Sequence, residues 1–413
     1  IMQWGAIPLA DTEHLFGNNR NDIYVDDGEY YTSNYHYNWS GKNKAVTKSN
    51  NDLPIQQWNN YPTIDTPRLL SSSTLKFAFM GCNQLSTEDF GNINEWDVGN
   101  IQTGKYTFAG CSLFNCNLNK WNTENFNSLS NTFADCLNYT GVGIENWNVF
   151  NVKYSRRAFA NCNNFTANLS NWRPQSIESS GDMFLGCNNF TGIGLENWYL
   201  PIINEVYGMF KYCYKFNPGS LNWNVSTCSD FISMFEDCRL FKGEGLNLWN
   251  TSEGGLYSYM FNGAYVFNQD LKDWNLTNLK PQNYWGESFL PMKYMFNNSG
   301  MDVRNITSTL VGWGKYDMTI ILPGHNGGDR FDINLGMFNI TYYTDKYNVH
   351  KLDGSYNWIY EDAIETHIVP SYLGIWEQYG YTGKTDWSQA YYNNIGTSKF
   401  GTYPYDISGD SIV

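Results

Sequence analysis

The stretch MFEDCRLFKGEGLNLWNTSEGGLYSYMFNGAYVFNQDLKDWNLTNL, Met234 to Leu279, contains one pattern twice. Each copy opens on a Met-Phe pair, has Cys or Ala three residues after the Phe, and reaches a Trp 13 or 14 residues after it. A unit of about 25 residues cannot bury its own apolar side chains, so it must stack on its neighbours. The pattern therefore predicts a repeat architecture.

The same pattern extends over much of the chain. Successive marker Trp residues are 25 or 26 residues apart, and a Phe follows most of them after 12 residues. The marker residues are Trp96, Trp121, Trp147, Trp172, Trp198, Trp223, Trp249 and Trp274. The extra residue of the longer units always lies between the Phe and the next Trp, which indicates a fixed register.

The segment around each Trp is the part of the unit that predicts a strand. Leu or Ile stands three residues before most Trp, and an apolar residue or Thr usually stands two after it. This spacing is typical of the strand of a leucine-rich repeat, with Trp turned into the core. Equivalent strands would lie side by side at about 4.8 Å.

The predicted fold class is therefore a repeat solenoid, a leucine-rich-repeat-like right-handed coil with a parallel β-sheet of short strands and 25- or 26-residue units. Residues 1–74 are predicted to form degenerate first coils with an inserted loop, 75–314 the solenoid, and 315–413 a C-terminal cap or accessory domain.

Composition excludes some function classes. The chain has 413 residues, a formal net charge of −14 and 17% aromatic residues. A surface this acidic repels phosphate backbones, so we expect no nucleic-acid partner. No apolar run approaches the roughly 18 residues of a membrane span, so we expect no membrane insertion within this chain. The chain opens on Ile1 without a leader pattern, so we expect any targeting signal to lie upstream or to have been removed.

The combined Phe, Cys, Leu and Trp register from Leu75 to Gly314 resembles the repeat of BspA-type leucine-rich-repeat surface proteins, known also from mycoplasma surface lipoproteins and from viruses and phages. The stretch from Asn297 to Tyr316 is similar to the family's terminal unit, which closes with a Gly-Trp pair. The resemblance implies display at a cell or virion surface and an adhesive role, and it carries no catalytic residues.

Nine cysteines raise the alternatives of disulfides, a metal site or buried free thiols. Seven of them stand three residues after a marker Phe, and only Cys116 and Cys228 lie off this ladder. A regular ladder directs each thiol inward beside a Phe, which favours buried free thiols. The spacings do not match a zinc site, so we expect neither a metal nor a cofactor.

The side chains on either side of each Trp are predicted to face solvent, because side chains alternate along a strand. The row after the Trp is the candidate binding surface for a glycan or a protein. The alternative is an asparagine ladder whose amides bond one another. The candidate residues are Asn122, Asn148, Arg173, Tyr199, Asn224, Asn250 and Asn275.

The Gly-x-Gly stretches recur every 51 residues and are interpreted as scaffold, with Gly141, Gly192 and Gly243 in one stripe. No catalytic motif is recognisable. His325, Asp329 and Asp332 could form a metal or acid-base site, but Gly-Gly between polar residues favours a turn. Asp26, Asp27 and Glu29 could bind calcium, but the full calcium-loop pattern is absent.

The predicted function is non-enzymatic recognition or adhesion at an extracellular, cell or virion surface, with a protein or glycan on another cell as partner. The alternative is a structural component of an extracellular assembly or virus particle that packs on neighbouring subunits. A glycan-active enzyme in the C-terminal region is a third alternative. Ligand, host and oligomeric state do not follow from the sequence.

Overall fold

A computed structural model describes residues 74–279 and 291–313, together with the short pieces 8–9, 68–69, 282–284, 287–289, 335, 349–351 and 358–360. The chain divides into two compact units, which are described separately. The first comprises 1–203 and 212–216, and the second comprises 204–211 and 217–413. Most of the predicted segments 1–74 and 315–413 lie outside the described residues, and the predicted domain boundaries stay predictions.

Regular secondary structure is sparse in the described residues. The strands are β1 (Pro8–Leu9), β2 (Arg68–Leu69), β3 (Gln282–Tyr284), β4 (Glu287–Phe289), β5 (Val349–Lys351) and β6 (Trp358–Tyr360). β1 pairs with β2 in parallel, whereas β3–β4 and β5–β6 are antiparallel. The helices are α1 (Val303–Trp313) and four short 3-10 segments, Thr87–Phe90, Ile93–Glu95, Leu195–Asn197 and Leu246–Leu248.

The segment before most of the marker Trp residues forms a turn, where the sequence predicted a strand. The amide of Trp198 donates to the carbonyl of Leu195 at 3.1 Å, and Trp172 bonds to Leu169 in the same way at 3.0 Å. This i to i−3 bond brings the Leu and the Trp onto the same buried side. The parallel pairing lies seven residues after each Trp, as isolated bridges such as Ser128 with Tyr154. The register of the predicted sheet is corrected accordingly, and the solenoid itself stays a prediction.

The main ladder between repeats runs along the Phe-Cys segment. In the first unit, the amides of Tyr106, Phe108 and Gly110 donate to carbonyls of the next repeat at 2.7 to 3.0 Å. The amides between them bond within their own repeat, for example Thr107 to the carbonyl of Gly104 at 3.0 Å. Tyr106 and Gly110 have φ values of 58° and 76°, in the left-handed region. This alternation prevents continuous strands from forming.

The second unit has the same ladder. The amides of Ser233, Phe235 and Asp237 donate to carbonyls of the following repeat at 2.7 to 3.0 Å. Ser233 and Asp237 again have positive φ, at 54° and 57°. The Phe-Cys segment therefore has one backbone geometry in both units, and this geometry sets the orientation of the Phe that points into the core.

The core of each unit consists of aromatic columns. In the first unit, the rings of Phe108 and Phe133 are 5.4 Å apart and nearly parallel, and those of Trp121 and Trp147 are 5.9 Å apart. In the second unit, Trp249 and Trp274 stack at 6.2 Å with planes 3° apart. These rings are almost fully buried. Offset stacking adds to the large apolar area that each ring removes from water.

Helix α1 covers the last repeat of the second unit. The ring of Trp313 stacks on Phe296 at 5.9 Å, and its indole N–H donates to the carbonyl of Leu271 at 2.8 Å. The hydroxyl of Thr309 accepts the amide of Leu271 at 2.9 Å. Gly312 stands where a Cβ would overlap Lys272. Gly312 thus permits a close approach of α1, and Trp313 adds an aromatic ring to the column.

Candidate recognition surface

The Trp column is a structural element. The indole N–H of Trp172 donates to the carbonyl of Ile144 in the preceding repeat at 2.8 Å, and that of Trp147 donates to Leu118 at 3.1 Å. In the second unit Trp249 and Trp274 do the same with Leu221 and Leu246. A phenyl ring could fill the space but could not donate this bond. The rings are therefore occupied by packing, and they offer no platform for a sugar.

The ladder cysteines also bond the preceding repeat. The thiol of Cys136 donates to the carbonyl of Phe108 at 3.0 Å, and Cys187 and Cys213 make the equivalent bond at 3.0 Å. Burial raises the pKa of each of these thiols well above its ordinary value. A thiol held protonated in this way is neither a nucleophile nor a metal ligand.

The two cysteines off the ladder are equally inaccessible. Burial raises the pKa of Cys116 to about 12, with the nearby Glu88 carboxylate contributing. Burial also raises the pKa of Cys228, which lies near the carbonyl of Asp230. All nine cysteines are free and buried, which confirms the prediction of buried free thiols.

The predicted asparagine row lies at the surface, and its carbonyl oxygens have a local role. The Oδ1 atom of Asn148 accepts the amide of Phe150 at 3.1 Å, and that of Asn250 accepts the amide of Ser252 at 3.1 Å. Asn122, Asn224 and Asn275 accept the amide two residues ahead in the same way. These Asx turns reverse the chain after five of the marker Trp residues. The ladder alternative predicted bonds between these amides, and the structure has bonds to the backbone instead.

A second set of asparagines, four residues after the Trp, joins neighbouring repeats. The Nδ2 atom of Asn125 donates to the carbonyl of Gly99 at 2.7 Å, and that of Asn151 donates to Glu124 at 2.8 Å. In the second unit Asn278 donates to Ser252. The Asn-x-x-Asn that follows Trp121, Trp147 and Trp274 therefore serves a turn and a bond to the neighbouring repeat.

The row before the Trp pairs across repeats. The amides of Asn146 and Asn171 bond at 2.8 Å, and Lys120 forms an ion pair with Glu95. Both pairs are exposed, so each contributes well under about 1 kcal/mol.

Arg173 and Tyr199 depart from this scheme. Pro201 lies two residues after Tyr199 and has no amide hydrogen, so an Asn at position 199 would have no donor for its turn. The carbonyl of Arg173 itself accepts the amide of Gln175 at 3.0 Å. Both side chains are exposed. Phe150 and Ile202, exposed in the same short segment after a Trp, were missed by the sequence analysis, although each departs from the residue types usual at its position.

The Gly-x-Gly stretches are scaffold. The predicted stripe residues Gly141, Gly192 and Gly243 have φ from 80° to 85°. A Cβ on Gly141 would lie 2.7 Å from the ring of Phe165 in the next repeat. A Cβ on Gly194 would overlap the backbone nitrogen of Ser170 in the preceding repeat. These positions need both a left-handed backbone and the absence of a side chain.

The clusters around His325 and Asp26 lie outside the described residues. Among the residues that the structure does describe, no group of three His, Cys, Asp or Glu side chains is arranged to hold a metal ion. No helix in that part of the chain has the length and apolar character needed to cross a membrane.

The Asx turns yield a stability prediction. We expect Asn148→Ala to lower the free energy of unfolding by about 1 kcal/mol, because the amide of Phe150 loses its acceptor. Asn148→Asp should preserve stability, since Asp97 makes the same turn with Gly99 in another repeat. Urea denaturation of the three proteins measures this. Equal stability of the Ala variant and the parent chain would contradict the assigned role.

The hydrogen bonds of the Trp, Cys and Asn side chains recur with the period of the sequence repeat, as they do in a repeat protein. A family profile described as Mycoplasma protein of unknown function, DUF285, matches residues 73–198 and 182–308, more than half of the chain, and the chain belongs to this family. No curated protein and no solved structure matches it.

Proposed function

We propose that this chain is a non-enzymatic, surface-exposed repeat protein of the BspA leucine-rich-repeat type, folded as a solenoid, which recognises a protein or glycan on another cell. One observation carries the proposal: the groups that recur from repeat to repeat are occupied by the scaffold, whereas a few exposed side chains, such as Phe150 and Tyr199, break the pattern. Indoles, thiols and asparagines bond within or between repeats, as for Trp172, Cys136 and Asn151. A rigid scaffold with variable exposed positions suits recognition.

The thiols support the non-enzymatic part of the proposal. The described cysteines are buried, and burial raises the pKa of the ladder thiols from Cys111 to Cys213, which removes the thiolate that nucleophilic catalysis requires. A glycan-active enzyme would need paired carboxylates at a substrate cleft. Substituting such a pair would have to abolish turnover.

The alternative, a structural component of a particle or fibre, is favoured less because the final repeat is covered. Trp313 stacks on Phe296, and Ser308 donates to Asp270 at 2.7 Å. Capping of this kind stops further repeats from adding at the same edge. A structural component could still pack on neighbouring subunits through its lateral surfaces.

Purified full-length chain coupled to fluorescent beads tests the recognition proposal. We expect the beads to bind intact cultured cells, and to bind them less after the cells are treated with protease or with glycosidases. Beads carrying an unrelated protein of similar negative charge are the control. No binding above this control, with the chain found instead as a repeating subunit of purified particles, would favour the structural alternative. Antibody labelling of intact source cells or virions tests the proposed exposure.

A further inference from the structure

Four exposed side chains follow the Trp residues of three consecutive repeats in the first unit. Phe150 is 47% exposed, Tyr199 54% and Ile202 43%, and Arg173 is also exposed. Equivalent positions of adjacent repeats are close, since the rings of Trp172 and Trp198 are 6.0 Å apart. The four residues belong to the same short segment after the Trp in neighbouring repeats, a corner of the unit that we call the departure patch.

The three apolar or aromatic members of the departure patch, Phe150, Tyr199 and Ile202, depart from the residue types of other repeats. At the same corner, other repeats place Asn, Ser, Thr or Glu, as at Asn122 and Glu124. Exposed Phe, Tyr and Ile side chains lose the hydrophobic stabilisation that burial would supply. Clustered apolar exposure beside polar neighbours is characteristic of a docking surface.

Arg173 is held in one orientation. Its Nη1 atom donates to the carbonyls of Ser170 at 2.6 Å and of Trp172 at 2.8 Å. The rest of the guanidinium has no partner among the described residues. A guanidinium fixed in this way loses little side-chain entropy when it binds a carboxylate.

We infer that the departure patch binds a protein whose surface presents a carboxylate beside apolar side chains. The carboxylate pairs with Arg173, while apolar side chains cover Phe150, Tyr199 and Ile202. Tyr and Arg are the residue types enriched where truncation most weakens protein complexes. Ile202 favours a protein over a glycan, because a hydroxyl-rich ligand gains little from an aliphatic side chain. The inference rests on the proposed recognition function and names its site and partner class.

A random-peptide library displayed on phage provides the probe. The library is selected on immobilised full-length chain, and enriched peptides are synthesised and titrated. We expect these peptides to share an Asp or Glu next to apolar residues. Arg173→Ala and Tyr199→Ala should each weaken their binding about tenfold or more. Leu248→Ala, which removes a side chain 71% exposed in the second unit, is the matched control and should leave binding unchanged.

Thermal unfolding of each variant shows whether the fold is preserved, and Tyr199→Phe gives a milder change at the same place. Peptides that bind the parent, Arg173→Ala and Tyr199→Ala equally would overturn the inference. Suppose that no peptide is enriched, and that a glycan array binds the parent chain but not Tyr199→Ala. This result would overturn the inference that the partner is a protein, and the proposed recognition function would still hold. If no peptide is enriched, no glycan binds and the beads do not bind cells, these results together would count against the proposed function itself.

Discussion

Raising the pH from 8 to 10 should unfold this protein. Burial raises the pKa of seven thiols in the folded chain, those of Cys111, Cys116, Cys136, Cys162, Cys187, Cys213 and Cys228. In the unfolded chain a thiol has a pKa of about 8.5. Above that pH the unfolded state loses protons that the folded state retains, so stability is complete below about pH 8.5 and falls as pH rises towards the folded pKa.

The expected effect is large because the thiols act together. Each contributes a slope of about −1.4 kcal/mol per pH unit above the unfolded pKa. Within one or two pH units above the unfolded pKa, seven such slopes together exceed the roughly 5–15 kcal/mol that stabilises a typical domain. Burial also raises the pKa of Tyr139 and of Tyr257, which acts in the same direction.

Urea denaturation at pH 7.5, 8.5 and 9.5 measures this slope. Cys187→Ala should make it shallower by about 1.4 kcal/mol per pH unit, and Ala264 at a ladder position shows that the repeat accepts alanine there. A free energy of unfolding that stays constant over this range in the parent chain would contradict the buried ladder.

Replacing Gly194 by alanine should cost about 4 kcal/mol or more of stability, enough to prevent folding in a marginal domain. Gly194 has φ of 97°, and a Cβ there would overlap the backbone nitrogen of Ser170. Backbone cannot move aside as a flexible side chain can, so the preceding repeat would have to separate.

Gly81 provides a matched control for this substitution. Its φ is also positive, at 77°, but a Cβ there would have nothing within 4 Å. Gly81→Ala should therefore lower the free energy of unfolding by only about 1 kcal/mol, the cost of placing alanine in a left-handed backbone conformation. Thermal unfolding followed by circular dichroism compares the two variants. Equal losses would mean that the close approach of the repeats at Gly194 is unimportant.

Part of the fold was predictable because the register of the repeat determines which side chains pack between neighbouring repeats. The burial of Trp172 and Cys136 followed from their register, as did the scaffold role of Gly141. The turn at Leu195–Asn197 did not, because Leu-x-x-Trp places both side chains inward either in a leucine-rich-repeat strand or in a 3-10 turn. Periodicity alone cannot separate those two backbones.

The candidate site was predictable only as a location. Alternation placed Asn148 and Asn250 at the surface, but their turn bonds depend on backbone geometry that no spacing reveals. The more informative signal was the exception to the pattern. Tyr199 stands where Pro201 removes the donor that an Asn would use, and this is visible in the sequence once the Asx turn is known.

The central claim is that recurring residues join the repeats and that recognition is left to the exceptions. Hydrogen exchange of the indole N–H groups, followed by NMR in deuterated buffer at pH 7, tests it most directly. The indoles of Trp121, Trp147, Trp172, Trp249, Trp274 and Trp313 should exchange only through extensive unfolding, over hours or longer. Trp172→Phe should remove one protected signal, which assigns it. Exchange of all indole signals within minutes would contradict the account.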